Sequence, residues 1–368
     1  MISQNRIGSN RPVVSLTACV RMLLLAGLVV EGCFPQSPRS KPELCRWQTT
    51  PIESGPIFDV TQFLDALHAY GSDGDCLWAT EDAGRHWRKS YCVQSRPERR
   101  DKIQALQFFS WTEGWLLVGF NRLLHTTNEG QTWMTQTFEK RIIFGLRFAN
   151  SQRGWWVGEQ LLSGVPDYRG VIYSTDDGGK TWDEAPTQIN SAYRWRLMCV
   201  WPLSAADVWV VGDLLLHSVD GGKTWQQPGA QLGELASLRN VKIQFQNPRV
   251  GWILRLPPDN YMVTKNGGRD WTPHRPPTQP ASMDDLLYLN AQDAWLAAGR
   301  VYHSIDGGIS WKPSGPNPTL VEARYSVLQY VATEHLLIAT GDQEIAFCKL
   351  SPAIPDGVRK PATLRFFH

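Results

Sequence analysis

One eight-residue motif recurs six times along this chain, and that recurrence limits the fold more than any other feature of the sequence. The copies run from Thr80 to Trp87, Thr126 to Trp133, Thr175 to Trp182, Ser218 to Trp225, Thr264 to Trp271 and Ser304 to Trp311. The first position is always Ser or Thr, the fifth always Gly and the eighth always Trp. The third is always acid or amide: Asp82, Asn128, Asp177, Asp220, Asn266 and Asp306. Such a unit reads as a hairpin turn carrying an anchor. The Asp or Asn side chain folds back onto backbone N–H groups, and glycine supplies the positive φ that a tight reversal needs. The flanking hydroxyls can bond across the turn, and the indole projects sideways into whatever packs against the hairpin.

Successive box tryptophans lie 40 to 49 residues apart, which fits one four-stranded propeller blade and is too long for most helical repeats. Each later box follows a buried-strand pattern, as in Gly114 to Gly119, Gly154 to Gly158, Val208 to Gly212, Gly251 to Leu254 and Ala294 to Gly299. A further strand precedes those patterns, for example Ile103 to Phe109, Ile142 to Phe148, Val241 to Phe245 and Leu286 to Leu289. Strand, strand, strand, box, strand makes a blade. Ala69-Tyr70-Gly71 opens the first one, which begins near Phe58. Tyr325 to Val331, Leu336 to Gly341 and Glu344 to Leu350 form a last one whose box has been lost. The reading is therefore an all-β, seven-bladed β-propeller over 46–350, with six blades plus a cap as the alternative.

A ring escapes exposed sheet edges only if its two ends join. Arg46 to Thr50 is the segment placed to complete the last blade, which brings Cys45 towards Cys348. A disulfide is predicted there, and it would stabilise by roughly 3–5 kcal/mol through the very long loop it closes. Cys76 and Cys92 lie equidistant from the turn at Gly84, so they are predicted to pair across two antiparallel strands. Cys199 is left as a free thiol on an inner strand. No Cys-x-x-Cys pair exists, which argues against zinc; no metal and no cofactor are expected.

Residues 1–32 read as a lipoprotein-type export signal. Arg6, Arg11 and Arg21 precede the short apolar run Met22 to Val30, and Val30-Glu31-Gly32-Cys33 then matches a lipoprotein processing site with Cys33 as the lipidated residue. Glu31 departs from that pattern, so cleavage without lipid and a retained anchor stay open. Residues 33–45 form a tether and 351–368 a tail. Removing 1–32 takes away three Arg and one Glu and balances the two signs of charge. A balanced chain is a poor match for nucleic acid, which is bound through a basic excess. The expected product is an exported, membrane-anchored protein facing the periplasm or the cell exterior, or a soluble periplasmic or secreted one. It is expected to be monomeric. With 17 Trp, 31 Gly and 24 Pro, the composition favours many short strands over helices.

The Ser/Thr-x-Asp-x-Gly-x-Thr-Trp element is the Asp-box. Its pairing with a preceding Gly-Trp-x-x-Gly strand, clearest from Trp115 to Trp133 and from Trp209 to Trp225, resembles the photosystem II stability/assembly-factor family of seven-bladed propellers. The resemblance covers roughly residues 58–350. It implies a non-catalytic scaffold or assembly factor for a membrane-associated complex, with a protein client. Sialidases and some glucan-cleaving hydrolases share the box, so an Asp-box glycoside hydrolase is the alternative. For it, Asp284-Asp285 is the nearest acidic pair, and no sialidase-like Tyr-Glu couple is evident. His125, His217 and His303 hold one repeat position and read as structural.

Basic residues recur ahead of consecutive inner strands: Arg96, Arg99, Arg100 and Lys102, then Lys140 and Arg141, then Arg194 and Arg196. Arg99, Arg100, Arg141, Arg194 and Arg196 are the candidate partner-binding set, able to grip carboxylates of a protein segment as bidentate donors. The cysteine assignment is open to a direct count: thiol titration of the unfolded, unreduced protein should find one free sulfhydryl apart from Cys33, and finding five would remove both bridges.

Overall fold

The computed structural model describes residues 45–94, 101–162, 167–186, 195–228, 241–255, 261–275, 283–316 and 324–350. Its described residues form seven antiparallel sheets and no helix. Blade 1 runs from Val60–Phe63 to Arg88–Cys92, blade 2 from Ile103–Phe108 to Met134–Thr137, and blade 3 from Arg141–Phe148 to Asp183–Glu184. Blade 5 runs from Val241–Phe245 to Thr272–His274, and blade 6 from Asp285–Tyr288 to Lys312–Pro313. Blade 4 has three described strands, Leu197–Pro202, Val208–Gly212 and Leu215–Ser218, and among the described residues its outer edge is met by a single bridge between His217 and Gln226. The seven-blade reading therefore holds and the capped six-blade one does not.

Blade 7 is built from both ends of the ring. Tyr325–Val331, Leu336–Gly341 and Glu344–Lys349 supply three strands, and Trp47–Pro51 adds the outermost one, antiparallel, with Trp47 opposite Cys348. Cys45 is disulfide-bonded to Cys348, their Cα atoms 5.6 Å apart. Cys76 is bonded to Cys92, directly across the third and fourth strands of blade 1.

Seven hydrophobic clusters occupy the seven junctions between blades. The tryptophan on each second strand faces the next blade: Trp115 packs with Ile143 and Phe148 of blade 3, Trp155 with Leu197 and Val210 of blade 4, and Trp295 with Leu328 and Leu337 of blade 7. Blade 1 has Tyr70 there, stacked on Phe108 at 3.7 Å.

The box turns close these junctions from the periphery. In blade 3, Thr175 Oγ1 accepts from the Gly179 N–H at 2.9 Å and donates to Asp177 at 2.8 Å. Asp177 in turn accepts from the Thr181 N–H at 3.0 Å and the Thr181 hydroxyl at 2.7 Å. The Asp side chain thus bridges both limbs of the turn. Gly179 adopts φ +80°, and a Cβ there would overlap the Trp115 ring of blade 2. Gly268 stands likewise against Trp209, and Gly222 against Trp155. Each box glycine is therefore required twice, by its own backbone and by the neighbouring blade.

Position matters more than residue type in these turns. Gly179→Ala should cost at least about 2 kcal/mol, because a left-handed Ala is strained and its methyl meets the indole. Gly299→Ala, at φ +72° with only Arg324 Cγ within 3.9 Å, should cost about 1 kcal/mol. Trp225→Ala should cost about 3–5 kcal/mol, since the indole is buried between blades 3 and 4. Urea unfolding measures all three, and equal losses for the two glycine variants would refute the packing argument.

Candidate functional site

The propeller has two unlike faces. On one, box turns bond to the loop joining the first and second strands of their own blade, as in Gly178 N–H to Gln152 O and Gly221 N–H to Ala206 O. The acids of that face are consumed within their turns. Asp220 accepts from Thr224 through both hydroxyl and N–H and from Ser218, which holds its carboxyl well below the ordinary range. Asp177 is held at about 2 by the Thr181 N–H and hydroxyl, and Asp306 at about 2 by the Ser310 hydroxyl and N–H. Asn128 and Asn266 make the same turn uncharged, each accepting from the N–H of position seven.

The repeated histidines belong to this face too. His125, His217 and His303 stack on Trp115, Trp209 and Trp295 at 4.3, 3.9 and 4.1 Å. Each pairs with the acid preceding its tryptophan strand: Glu113, Asp207 or Asp293. They serve three separate blades and converge nowhere. Among the described residues no group of three or more His, Cys, Asp or Glu side chains is placed to hold a metal ion.

The opposite face carries the entrances to the inner strands. Lys102, Lys140, Arg141 and Arg196 sit there on blades 2, 3 and 4, each linked to the turn after its second strand: Gly119 N–H bonds to Lys102 O, Leu161 N–H to Lys140 O, and Asp213 N–H to Arg196 O. Arg196 is committed to structure: its Nε donates to Glu159 at 2.8 Å, and the Glu159 side chain is only 5% exposed. That bond raises the Arg196 pKa. Its guanidinium also lies 4.6 Å from the Tyr168 ring. Arg141 Nε donates to Tyr173 OH at 3.0 Å, and that hydroxyl donates to Glu184, itself paired with Arg169. Beside Arg141 the face is apolar: Phe120, Leu161 and Leu162 are exposed, and Phe120 meets Phe144 edge-on at 6.4 Å. Arg96, Arg99, Arg100, Arg194 and Cys33 lie outside the described residues.

The acidic pair weighed for hydrolysis is also committed. Asp284 pairs with Arg324 at 3.1 Å. Asp285 accepts from the Leu328 N–H at 3.0 Å and the Leu286 N–H at 3.1 Å, tying blade 6 to blade 7.

Between the faces, the inner strands enclose a cavity of about 420 Å³ lined by Arg147, Lys242, Trp201 and Gln104 among others. It was missed in the sequence, although a signal existed. The residue before the inner-strand aromatic is Gln62, Gln107, Gln244 and Gln329 in four blades and Arg147 in blade 3. A larger recess of about 870 Å³ is lined by Trp209, His217, Gln226, Arg249 and Arg269.

Six turns of one chemistry, seven sheets and a ring joined by its own two ends define the class: an Asp-box seven-bladed β-propeller. A family model described as photosynthesis system II assembly factor YCF48 matches residues 135–234 and 213–334. The chain belongs to that family. It is 28% identical, over 188 residues, to the photosystem II assembly lipoprotein Ycf48 of Synechococcus sp. (strain CC9902), a match that covers 49% of this chain and 52% of that relative. The chain thus spans about half the length of the curated relative. Among solved structures, YCF48 bound to D1 peptide superposes with a TM-score of 0.58 at 18% identity, covering 83% of this chain and 97% of that one. YCF48 from Cyanidioschyzon merolae gives 0.57 at 16%, covering 82% and 98%. An ancestral GH74 enzyme gives 0.56 at 13%, covering 81% of this chain and 45% of its own.

The turn carboxylates generate an acid limb of stability. A carboxyl depressed on folding contributes stability that is present above its unfolded value and lost as pH falls through its folded one. For Asp177 and Asp306 that window runs from about 4 down to about 2. The double variant Asp177→Asn, Asp306→Asn should reduce the pH dependence of urea unfolding across that window, Asp220 keeping a share of it, while leaving the propeller folded; slopes identical to the wild type would refute the assignment.

Proposed function

We propose that this protein is a non-catalytic assembly or stability factor that binds a protein client belonging to a membrane-associated complex. The family match over 135–334 carries the reading. The names of its relatives agree with it: one is called an assembly lipoprotein, another was solved with a D1 peptide. Export and membrane attachment through Cys33 belong to the same proposal, supported by the name of that curated relative.

The client is assigned to the face opposite the box turns. Arg141 stands there among exposed Phe120, Leu161 and Leu162, a mixture suited to a segment that carries both carboxylates and apolar side chains. Arg99, Arg100 and Arg194 complete the proposed basic set. Arg196 contributes mainly by holding Glu159, so its substitution acts first on stability.

The non-catalytic reading is supported by where these acids are engaged. A glycosidase needs two carboxyl groups facing one cleft. Asp284 and Asp285 are instead engaged by Arg324 and by backbone N–H groups, and the box acids are turned into their own hairpins.

With the mature protein as bait and detergent-solubilised membranes as prey, Arg141→Glu combined with Phe120→Ser should lower client capture at least about fivefold with a cooperative unfolding transition retained. Arg196→Ala should instead destabilise by about 2 kcal/mol through the stranded Glu159 carboxylate. Unaltered capture by the first variant would remove the patch, and turnover of fluorogenic sialosides or β-glucan oligomers would replace the assembly-factor reading with a hydrolase.

A further inference from the structure

The inner strands are laced together at one repeated position. Gln62 of blade 1 donates to Phe108 O and accepts from Phe108 N–H, both at 2.8 Å. Gln107 of blade 2 does the same with Phe148, at 3.0 and 2.9 Å, and Gln329 of blade 7 with Phe63, at 2.5 and 2.7 Å. In blade 4 that position is Trp201, whose Nε1 donates to Phe245 O at 3.1 Å. An amide matches this task because it offers one donor and one acceptor to a backbone pair.

Among the described residues, blades 5 and 6, with Gln244 and Leu287 there, make no such clasp, and blade 3 departs in charge as well. Its residue at this position is Arg147, which cannot accept and makes no clasp to blade 4. Its guanidinium lies 5.3 Å from the Trp201 ring and lines the 420 Å³ cavity. One tier away, nearer the face that carries the client patch, the equivalent positions hold Val60, Ala105, Gly145, Cys199, Lys242 and Asp285. Ala105 and Gly145 line the cavity together with Arg147, and Gly145 is without a side chain because blade 4 approaches it closely, a Cβ there lying 3.0 Å from Met198 O. Lys242 lines the same space.

The charges here do not balance. Arg147 is closely surrounded by protein atoms, which lowers its pKa, while its exposed surface is turned to the channel solvent; Cys199 and Asp285 only partly offset that burial. Neither Arg147 nor Lys242 has an ion-pair partner within 4.0 Å among the described residues. Asp285, the acid closest to both, already accepts from two backbone N–H groups. Burial pushes the Cys199 thiol up, so it supplies no anion. Two cations therefore face one spent carboxylate across a cavity whose remaining walls include Trp201, Phe144 and Met198.

We propose that this cavity binds a small organic acid, its carboxylate held by Arg147 and Lys242 and its apolar body lying against Trp201, Phe144 and Met198. A guanidinium presents a planar fork that fits a carboxylate and an ammonium adds a point charge, while an aromatic wall beside them selects an apolar tail. The cavity volume suits a ligand of that size. The site touches the client face through Phe144, which also meets Phe120, but does not depend on that face's assignment.

Isothermal titration of the mature protein with phenylacetate, hexanoate and succinate, and with the uncharged 2-phenylethanol, tests it. At least one of the two monocarboxylates should bind, with 2-phenylethanol at least about tenfold weaker than phenylacetate where phenylacetate binds. Arg147→Gln, which installs the amide found in blades 1, 2, 5 and 7, should weaken carboxylate binding at least about tenfold with the melting temperature unchanged or raised. Lys242→Met is the second variant, expected to weaken the same acids without touching the clasp position. Binding of none of the three acids, tighter binding of succinate than of both monocarboxylates, equal binding of phenylacetate and the alcohol, or unchanged affinity in both variants would overturn the site.

Discussion

The contact between the box glycine and the ring of the preceding blade is the constraint on which the rest of the propeller depends. It couples a local requirement, a left-handed backbone at the tip of a hairpin, to a tertiary one, the close approach of two sheets. Neither is satisfied by another residue: Gly179 and Gly268 would each drive a methyl into an indole, at Trp115 and Trp209. A turn fixed by the Ser/Thr and Asp/Asn bonds positions the glycine, and the glycine then positions the next blade. The ring is thus specified junction by junction, by a rule carried within one blade length of chain.

The contact to an indole holds at Gly179, Gly222 and Gly268, while Gly84 meets Ile345 and Gly308 the Tyr261 and Tyr288 hydroxyls, and two further departures show what it accomplishes. Blade 7 has no box, so Trp295 of blade 6 receives no glycine turn. Trp47, from the closing strand, packs edge-to-face on Trp295 at 5.9 Å, where Trp182 meets Trp115 at 6.3 Å and Trp271 meets Trp209 at 6.5 Å. The strand that joins the ring also supplies the missing indole, and the Cys45 bridge pins it. Blade 1 has Tyr70 instead of tryptophan, and the box glycine of blade 2 meets Ser90 Oγ instead of a ring.

Most of the architecture was legible in the sequence because it is repeated. Strands Tyr325–Val331 and Leu336–Gly341 coincide with their apolar patterns, and Val241–Phe245 does too. The outer strands were less distinct: Asp183–Glu184 and Lys312–Pro313 are two residues long and exposed, so no burial pattern marks them. The role of Trp47 could not be read, since it depends on a contact with a residue almost 250 positions away. The same limit hid the Arg196 pair. Glu159 sits at the end of a buried strand with nothing in its neighbourhood to announce a cation from the next blade. Arg196 accordingly looked like a surface charge, and only the fold shows that it is held.

Lacing and opening compete for the same residues along the inner ring. At Gln62, Gln107 and Gln329, adjacent inner strands exchange two hydrogen bonds, whereas Gln244 makes no such exchange among the described residues and lines the cavity. Where arginine replaces glutamine, the exchange is chemically impossible, because a guanidinium has no acceptor to offer the partner N–H. The stability forgone at the junction of blades 3 and 4 is regained further out by the Trp155 and Trp225 indoles, which fill that junction with the largest apolar cluster of rings and branched chains around blade 4. A ring in which every inner position were glutamine would be more uniformly tied and would have no cationic wall. Among the positions without a full clasp, Arg147 is the one that brings a cation to the cavity wall, where Lys242 also stands.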